Sequence, residues 1–245
     1  MSQAPRLALL FACSLGLAWL LSLVGLLNLD LGQAWDPPAI KAAFVMAAIL
    51  ARTLLQTGLF IVAHDAMHGV YFPDKPRLNG VIGQLFLGLY GALPYRSCLE
   101  KHHRHHLYPA SSLDPDFHQG DGRFIGWYLH FMRCYLSMSQ LSWLLAGWLL
   151  LWLATAATTP NSLVNVLLFA IVPVLLSSLQ LFTFGTYLPH RGHDFQCHGH
   201  HCASIEVPGW LSLLACYHFG YHLDHHGSPQ LAWFELPRCR QDRLA

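Results

Sequence analysis

The chain has 245 residues, 54% of them hydrophobic and only 11% charged, with a formal net charge of +1. A soluble domain carries roughly 25% charged residues, so this composition excludes an ordinary water-soluble domain and indicates an integral membrane protein. A charge near zero gives no electrostatic footing for nucleic acid, and seven scattered cysteines do not form a disulfide framework.

A spanning helix needs about 20 mostly apolar residues, and four segments reach that length. The first covers about residues 7–29, after Arg6. It exceeds the h-region of a secretory signal, about 7–15 residues, and is read as a retained span. The second covers about residues 39–63, with Arg52 near its middle, where a charge is costly unless paired, buried or snorkelling. The third and fourth, about 140–157 and 162–187, are joined by the short link Thr158–Asn161 and form a hairpin. Three apolar stretches are too short or too polar to span: residues 80–93, 124–138 and 210–219. They are expected as re-entrant or interfacial helices. The fold class is therefore all-α: one membrane domain over residues 1–245, four transmembrane helices and a few interfacial ones.

Basic residues set the orientation. Lys75, Arg77, Arg96, Lys101, Arg104, Arg123 and Arg133 follow the second span, and Arg191, Arg238, Arg240 and Arg243 follow the fourth. The opposite loops hold Lys41 against Asp30 and Asp36. The positive-inside rule then places both termini and the large loops in the cytoplasm.

Seventeen histidines occur, most of them in three clusters on that same face. His64 and His68 stand at i and i+4; His102, His105 and His106 have the form H-x-x-H-H, as do His222, His225 and His226. Such positions share a helical face. Eight imidazoles exceed the needs of one zinc ion and suit two metals with open positions. Imidazole binds zinc, copper, iron and nickel; a non-haem di-iron centre is preferred, and zinc and copper stay open on ligand type alone.

The motifs His64-Asp-Ala-Met-His68-Gly69, Asp114-Pro-Asp116-Phe-His118, Phe184-Gly-Thr-Tyr-Leu-Pro-His190-Arg191 and Cys216-Tyr-His218-Phe-Gly-Tyr-His222 together resemble the bacterial and cyanobacterial β-carotene ketolases. That group lies within the membrane-bound histidine-box di-iron oxygenases, with the fatty acyl desaturases. The resemblance implies two iron ions, O2 as co-substrate, and a carotenoid taken from the bilayer and oxidised to a ketone at C4 of its ring. It also implies an electron donor such as ferredoxin or a similar reductase system, and a bacterial plasma or thylakoid membrane. It makes His190 a ninth ligand.

Asp65, Asp116 and Asp224 are the candidate catalytic residues, as carboxylates that hold ligand imidazoles through their second N–H. His218 is open between ligand and packing roles, and His103 points away from its box. The run Cys197-His-Gly-His-His-Cys202 is too short for its own four side chains to enclose zinc comfortably, although His200 is a candidate contact. Rival readings are a carotenoid 3-hydroxylase, a fatty acyl desaturase and, from another class, a metal or proton transporter. Transport calls for ionisable residues along the spans, and here histidines gather at one face.

Overall fold

The computed structural model describes residues 4–120, 122–191 and 202–244. The described residues are helical apart from loops and one isolated bridge between Ser204 and Tyr221. Four helices are long and apolar enough to cross a membrane: α1 (Ala4–Leu27), α2 (Pro38–Met67), α6 (Met138–Ala156) and α7 (Ser162–His190). The shorter helices are α3 (Pro76–Gly91), α4 (Tyr95–Leu107), α5 (Phe124–Tyr135), α8 (Gly209–Cys216), α9 (His222–Gly227) and α10 (Leu236–Leu244). The Cys197–His201 part of the cysteine–histidine run, with His200, lies outside the described residues.

The spans differ from their sequence-based bounds where polar residues continue a helix. α2 ends at Met67 rather than 63, and α7 ends at His190 rather than 187. At 1.5 Å per residue, the 30 residues of α2 reach about 45 Å, against about 30 Å of hydrocarbon. The surplus turn delivers His64 to the end of the bundle, with His68 as the helix C-cap. The 16-residue α3 is too short to span and lies along α2. Gly83 lets it meet α4: a Cβ there would stand 2.0 Å from the Tyr95 ring.

Apolar packing between helices gains little when the solvent is lipid, and α2 is tied to its neighbours by polar contacts. Trp19 of α1 donates to Gln56 (2.7 Å), and Asn79 of α3 donates to Phe72 O (2.7 Å) in the link from α2. Thr57 meets Ser177 of α7 at 2.7 Å. Arg52 is 1% exposed and makes three hydrogen bonds to two neighbouring helices. Its Nε donates to Phe169 O (3.0 Å), and Nη1 donates to Trp19 O (2.7 Å) and Ser22 Oγ (3.0 Å).

The carbonyl of Phe169 is free for Arg52 for a chemical reason. In a regular helix it would accept from residue 173, which is proline and has no N–H. The helix answers with a π-helical segment at Leu167–Ile171, and a second, Phe182–Tyr187, precedes Pro189. Such widened turns recur at functional sites. In the second, Gly185 accommodates Phe219: a Cβ there would stand 2.4 Å from that ring.

Candidate metal centre

Nine imidazoles collect in two adjoining groups at the ends of α2 and α7. The first group is His64, His68, His102, His106 and His225; the second is His105, His190, His222 and His226. Within each, one ring nitrogen per residue lies within 4.8 Å of all the others. These are the nine positions expected from the sequence. The sharing of boxes differs from that expectation. On α4, the i and i+4 pair His102 and His106 joins the first group while His105 joins the second. On α9 the pattern is reversed: His222 and His226 join the second group and His225 the first. At 3.6 residues per turn, positions i+3 and i+4 point about 100° apart, so one H-x-x-H-H helix reaches two centres.

The donor set fits metal ions better than hydrogen bonding. The Nε2 atoms of His105, His222 and His226 form a triangle with edges of 3.1, 3.1 and 3.0 Å. Each Nε2 carries either a proton or a lone pair, so hydrogen bonds satisfy at most one edge. Ligands about 2.1 Å from a common ion and at right angles to each other stand about 3.0 Å apart. In the first group, His68 Nε2 is 2.7 Å from His102 Nε2, and His106 Nε2 is 3.0 Å from His225 Nε2. His64 Nε2 is buried without a hydrogen-bond partner, an arrangement that costs about 1–3 kcal/mol and that a cation would relieve.

Asp114 prepares His105 as a ligand. Both its oxygens lie 3.0 Å from His105 Nδ1, and the backbone N–H groups of Ala110 and Asp116 donate to it at 2.9 Å. The proton is thereby held on Nδ1 and the Nε2 lone pair faces the triangle. The carboxylate expected in that role, Asp116, is 4.0 Å from His105 Nδ1 and accepts from Tyr135 Oη at 2.7 Å. Asp65 lies 3.5 Å from His64 Nδ1 and accepts from Trp233 N at 3.1 Å. Asp224 turns elsewhere: it accepts from Ser204 (2.6 Å) and Arg243 (2.6 Å), with Arg240 at 3.6 Å. It therefore anchors α10 to α9, the helix of the third box. His218 also stands apart from the groups. Tyr217 and His218 adopt positive φ, so the chain turns before His222 and the helical register between the two is lost. His218 stacks on Tyr221 at 5.5 Å. His103 is exposed.

Electrostatics keep most of these rings neutral. Burial, then repulsion from His103, pushes His68 down to about 3. Burial, then repulsion from His68, pushes His106 down to about 2. His102, His222 and His225 are driven well below the ordinary range by burial and then by neighbouring imidazoles. Burial alone would depress His105 as well, but its hydrogen bond with Asp114 and the charge of Asp116 raise it. Neutral imidazole is the metal-binding form.

A pH dependence follows. Rings with folded values near 3 and 2 take up protons on unfolding, whose reference is about 6.5. The unfolded chain then binds more protons throughout that interval, and the stability contributed is full above about pH 6.5 and is lost on acidification. The melting temperature in detergent with chelator is expected to fall from about pH 7 to about pH 4, His105 opposing in part. A flat profile would contradict the neutral cluster.

An apolar cavity of about 180 Å³ ends on this centre, its wall including His102 of the first group and His105 and His222 of the second. Toward the bundle it is bounded by Leu144 and Trp148 of α6 and by Val174 and Leu175 of α7. The outer faces of both helices are apolar and exposed, Leu145 at 54% and Leu175 at 55%.

The sequence model of the fatty acid desaturase family matches residues 40–148 and 141–245. The chain belongs to this family. Two proteins named beta-carotene ketolase, from Paracoccus sp. (strain PC1) and Paracoccus sp. (strain N81106 / MBIC 01143), are 40% and 39% identical to it. Those alignments cover 82% and 80% of this chain, and 82% and 78% of the relatives. A zeaxanthin 4-ketolase from Chlamydomonas reinhardtii is 38% identical, over 81% of this chain and 45% of its own length. No solved structure matches. Within this desaturase family member, Tyr135 is the site residue that the sequence did not signal: it lines the cavity and holds Asp116, and no histidine spacing leads to it.

Proposed function

We propose that the chain is a carotenoid 4-ketolase, an oxidoreductase that converts the ring CH2 at C4 of β-carotene or a hydroxylated relative into a ketone. The observation that carries this reading is the apolar cavity lined both by residues of the lipid-facing helices α6 and α7 and by members of both imidazole groups. Its volume lies below the roughly 300 Å³ at which drug-sized pockets begin. One cyclic end group fits, while the polyene extends between α6 and α7 into the bilayer. The ketolase relatives support the same substrate.

Two rounds of oxidation account for the product. In the first, O2, two electrons and two protons convert CH2 into CHOH and water. The second repeats this on the same carbon to give a geminal diol, which loses water to leave the ketone. Two iron ions, held by the five- and four-imidazole groups, would supply the activation of O2 for attack on an unreactive C–H bond. The chain's own residues do the rest. Asp114 fixes the His105 tautomer, Phe219 and Phe131 wall the ring, and the partly buried Tyr135, bonded to the buried Asp116, helps keep water from the reacting carbon. The basic residues after α2 and α7 support a cytoplasmic centre and cytoplasmic termini, with electrons arriving from a ferredoxin-like donor. The whole chain then works as one membrane domain in a bacterial plasma or thylakoid membrane.

The test is expression in a β-carotene-accumulating bacterium, with pigments resolved by chromatography and mass spectrometry. The expected product gains one oxygen and loses two hydrogens per ring, with a red-shifted spectrum. A gain of one oxygen with an unchanged chromophore would make the protein a hydroxylase instead. Unaltered β-carotene beside abundant protein would redirect the reading to hydroxylated carotenoids or acyl lipids.

A further inference from the structure

Thr186 lines the cavity beside Gly185, Phe219, His105 and His222, and is 5% exposed. It lies in the second π-helical segment, four residues before His190. Thr57 meets Ser177, and three further threonines in these helices return their hydroxyl to the carbonyl one turn back. Thr53 does so to Ile49 (2.8 Å), Thr155 to Leu151 (2.9 Å) and Thr183 to Leu179 (2.6 Å). Thr186 makes no hydrogen bond through its hydroxyl among the described residues. Other polar side chains of the cavity are committed: Ser178 to Tyr128 (2.7 Å), Gln140 to Gly91 O (2.8 Å) and Tyr135 to Asp116 (2.7 Å). The Thr186 hydroxyl, uncommitted among the described residues, stands in the wall of this apolar cavity and can meet a polar group on a ligand there.

We propose that Thr186 is a positioning residue that holds the alcohol formed in the first round of oxidation. The inference rests on the ketolase reading. The starting ring presents only C–H bonds and gains no hydrogen bond from Thr186. After the first round the same carbon bears a hydroxyl. A hydrogen bond between that hydroxyl and Thr186 Oγ1 keeps the carbon facing His105 and His222 and opposes its escape to the bilayer. Retention decides whether the ring leaves as an alcohol or is oxidised again to the ketone. Thr186 forms and breaks no covalent bond; each round consumes O2, electrons and protons as above.

The experiment compares wild type, Thr186→Val and Thr186→Ser in the β-carotene host, with alcohol and ketone quantified against protein level. In Thr186→Val the released alcohol-to-ketone ratio is expected to rise about five- to ten-fold, the effect of losing one hydrogen bond. The rate of first oxidation, read from loss of β-carotene, should change much less. Thr186→Ser should restore the ratio. If the valine variant does not accumulate, Thr186→Ala carries the same expectation. An unchanged ratio, or equal loss of both products, with ketone formed by wild type would overturn the assignment alone. No C4 product from wild type, in hosts supplying either β-carotene or a hydroxylated carotenoid, would overturn the ketolase reading and this assignment with it.

Discussion

Replacing His105 by alanine is expected to abolish ketone formation and to lower bound metal, while the protein stays in the membrane. Three features set His105 apart from its neighbours. It is 2% exposed, its Nδ1 is fixed by both oxygens of Asp114, and its Nε2 is a corner of the His105–His222–His226 triangle. Removing the ring takes away one donor of the four-imidazole group and leaves the Asp114 carboxylate buried without its imidazole. Asp114→Asn should act more gently, since the amide can still accept from Nδ1–H. Loss of such a supporting carboxylate typically costs about 10- to 100-fold in metal affinity or activity. Metal analysis of purified protein beside the pigment profile checks both. Full activity in His105→Ala would sink the assignment of the second group.

Arg52→Ala is expected to cost the fold about 3 kcal/mol or more, enough to lower accumulation and melting temperature sharply. Hydrogen bonds to a charged group contribute about 1.5–3 kcal/mol each, and Arg52 makes three. Lysine is a poor substitute because a single ammonium cannot span two helices as the guanidinium fork does. Methionine would fill the space without a buried charge, often a neutral exchange. Here Phe169 O would lose the Arg52 donor, and Pro173 has no N–H to offer in its place. The double variant Arg52→Met with Pro173→Ala restores a backbone N–H for that carbonyl and should recover part of the loss. Simple additivity of the two changes would show that the proline and the arginine are not coupled.

Spans and ligands were legible in the sequence for different reasons. Apolar length is local, so each span was placed to within a few residues, and the misses at Met67 and His190 arose where polar ligands continue a helix beyond the hydrocarbon. Histidine spacing is also local and named eight of the nine gathered residues, while His190 followed only from the family resemblance. Which centre each ring serves depends on how α4 and α9 face one another, and no spacing within one box carries that. Asp114 prevailed over Asp116 because a turn closed by two backbone N–H groups aims it at His105. His218 looked like a helical neighbour of His222 until positive φ at two residues broke the register. The partners of Arg52 lie up to 117 residues away, beyond any local pattern.

The third histidine box contributes to both groups, His225 to one and His222 with His226 to the other. Synthesis runs from the N-terminus, so the two constellations are complete only when residues 225 and 226 have left the ribosome, by which time all four spans have been made. The chain therefore inserts and packs as an apoprotein, with most of its imidazoles neutral and assembled late. Maturation becomes a separate event, and metal-starved cells should accumulate a membrane-inserted, inactive precursor that acquires activity when metal is restored, without new translation.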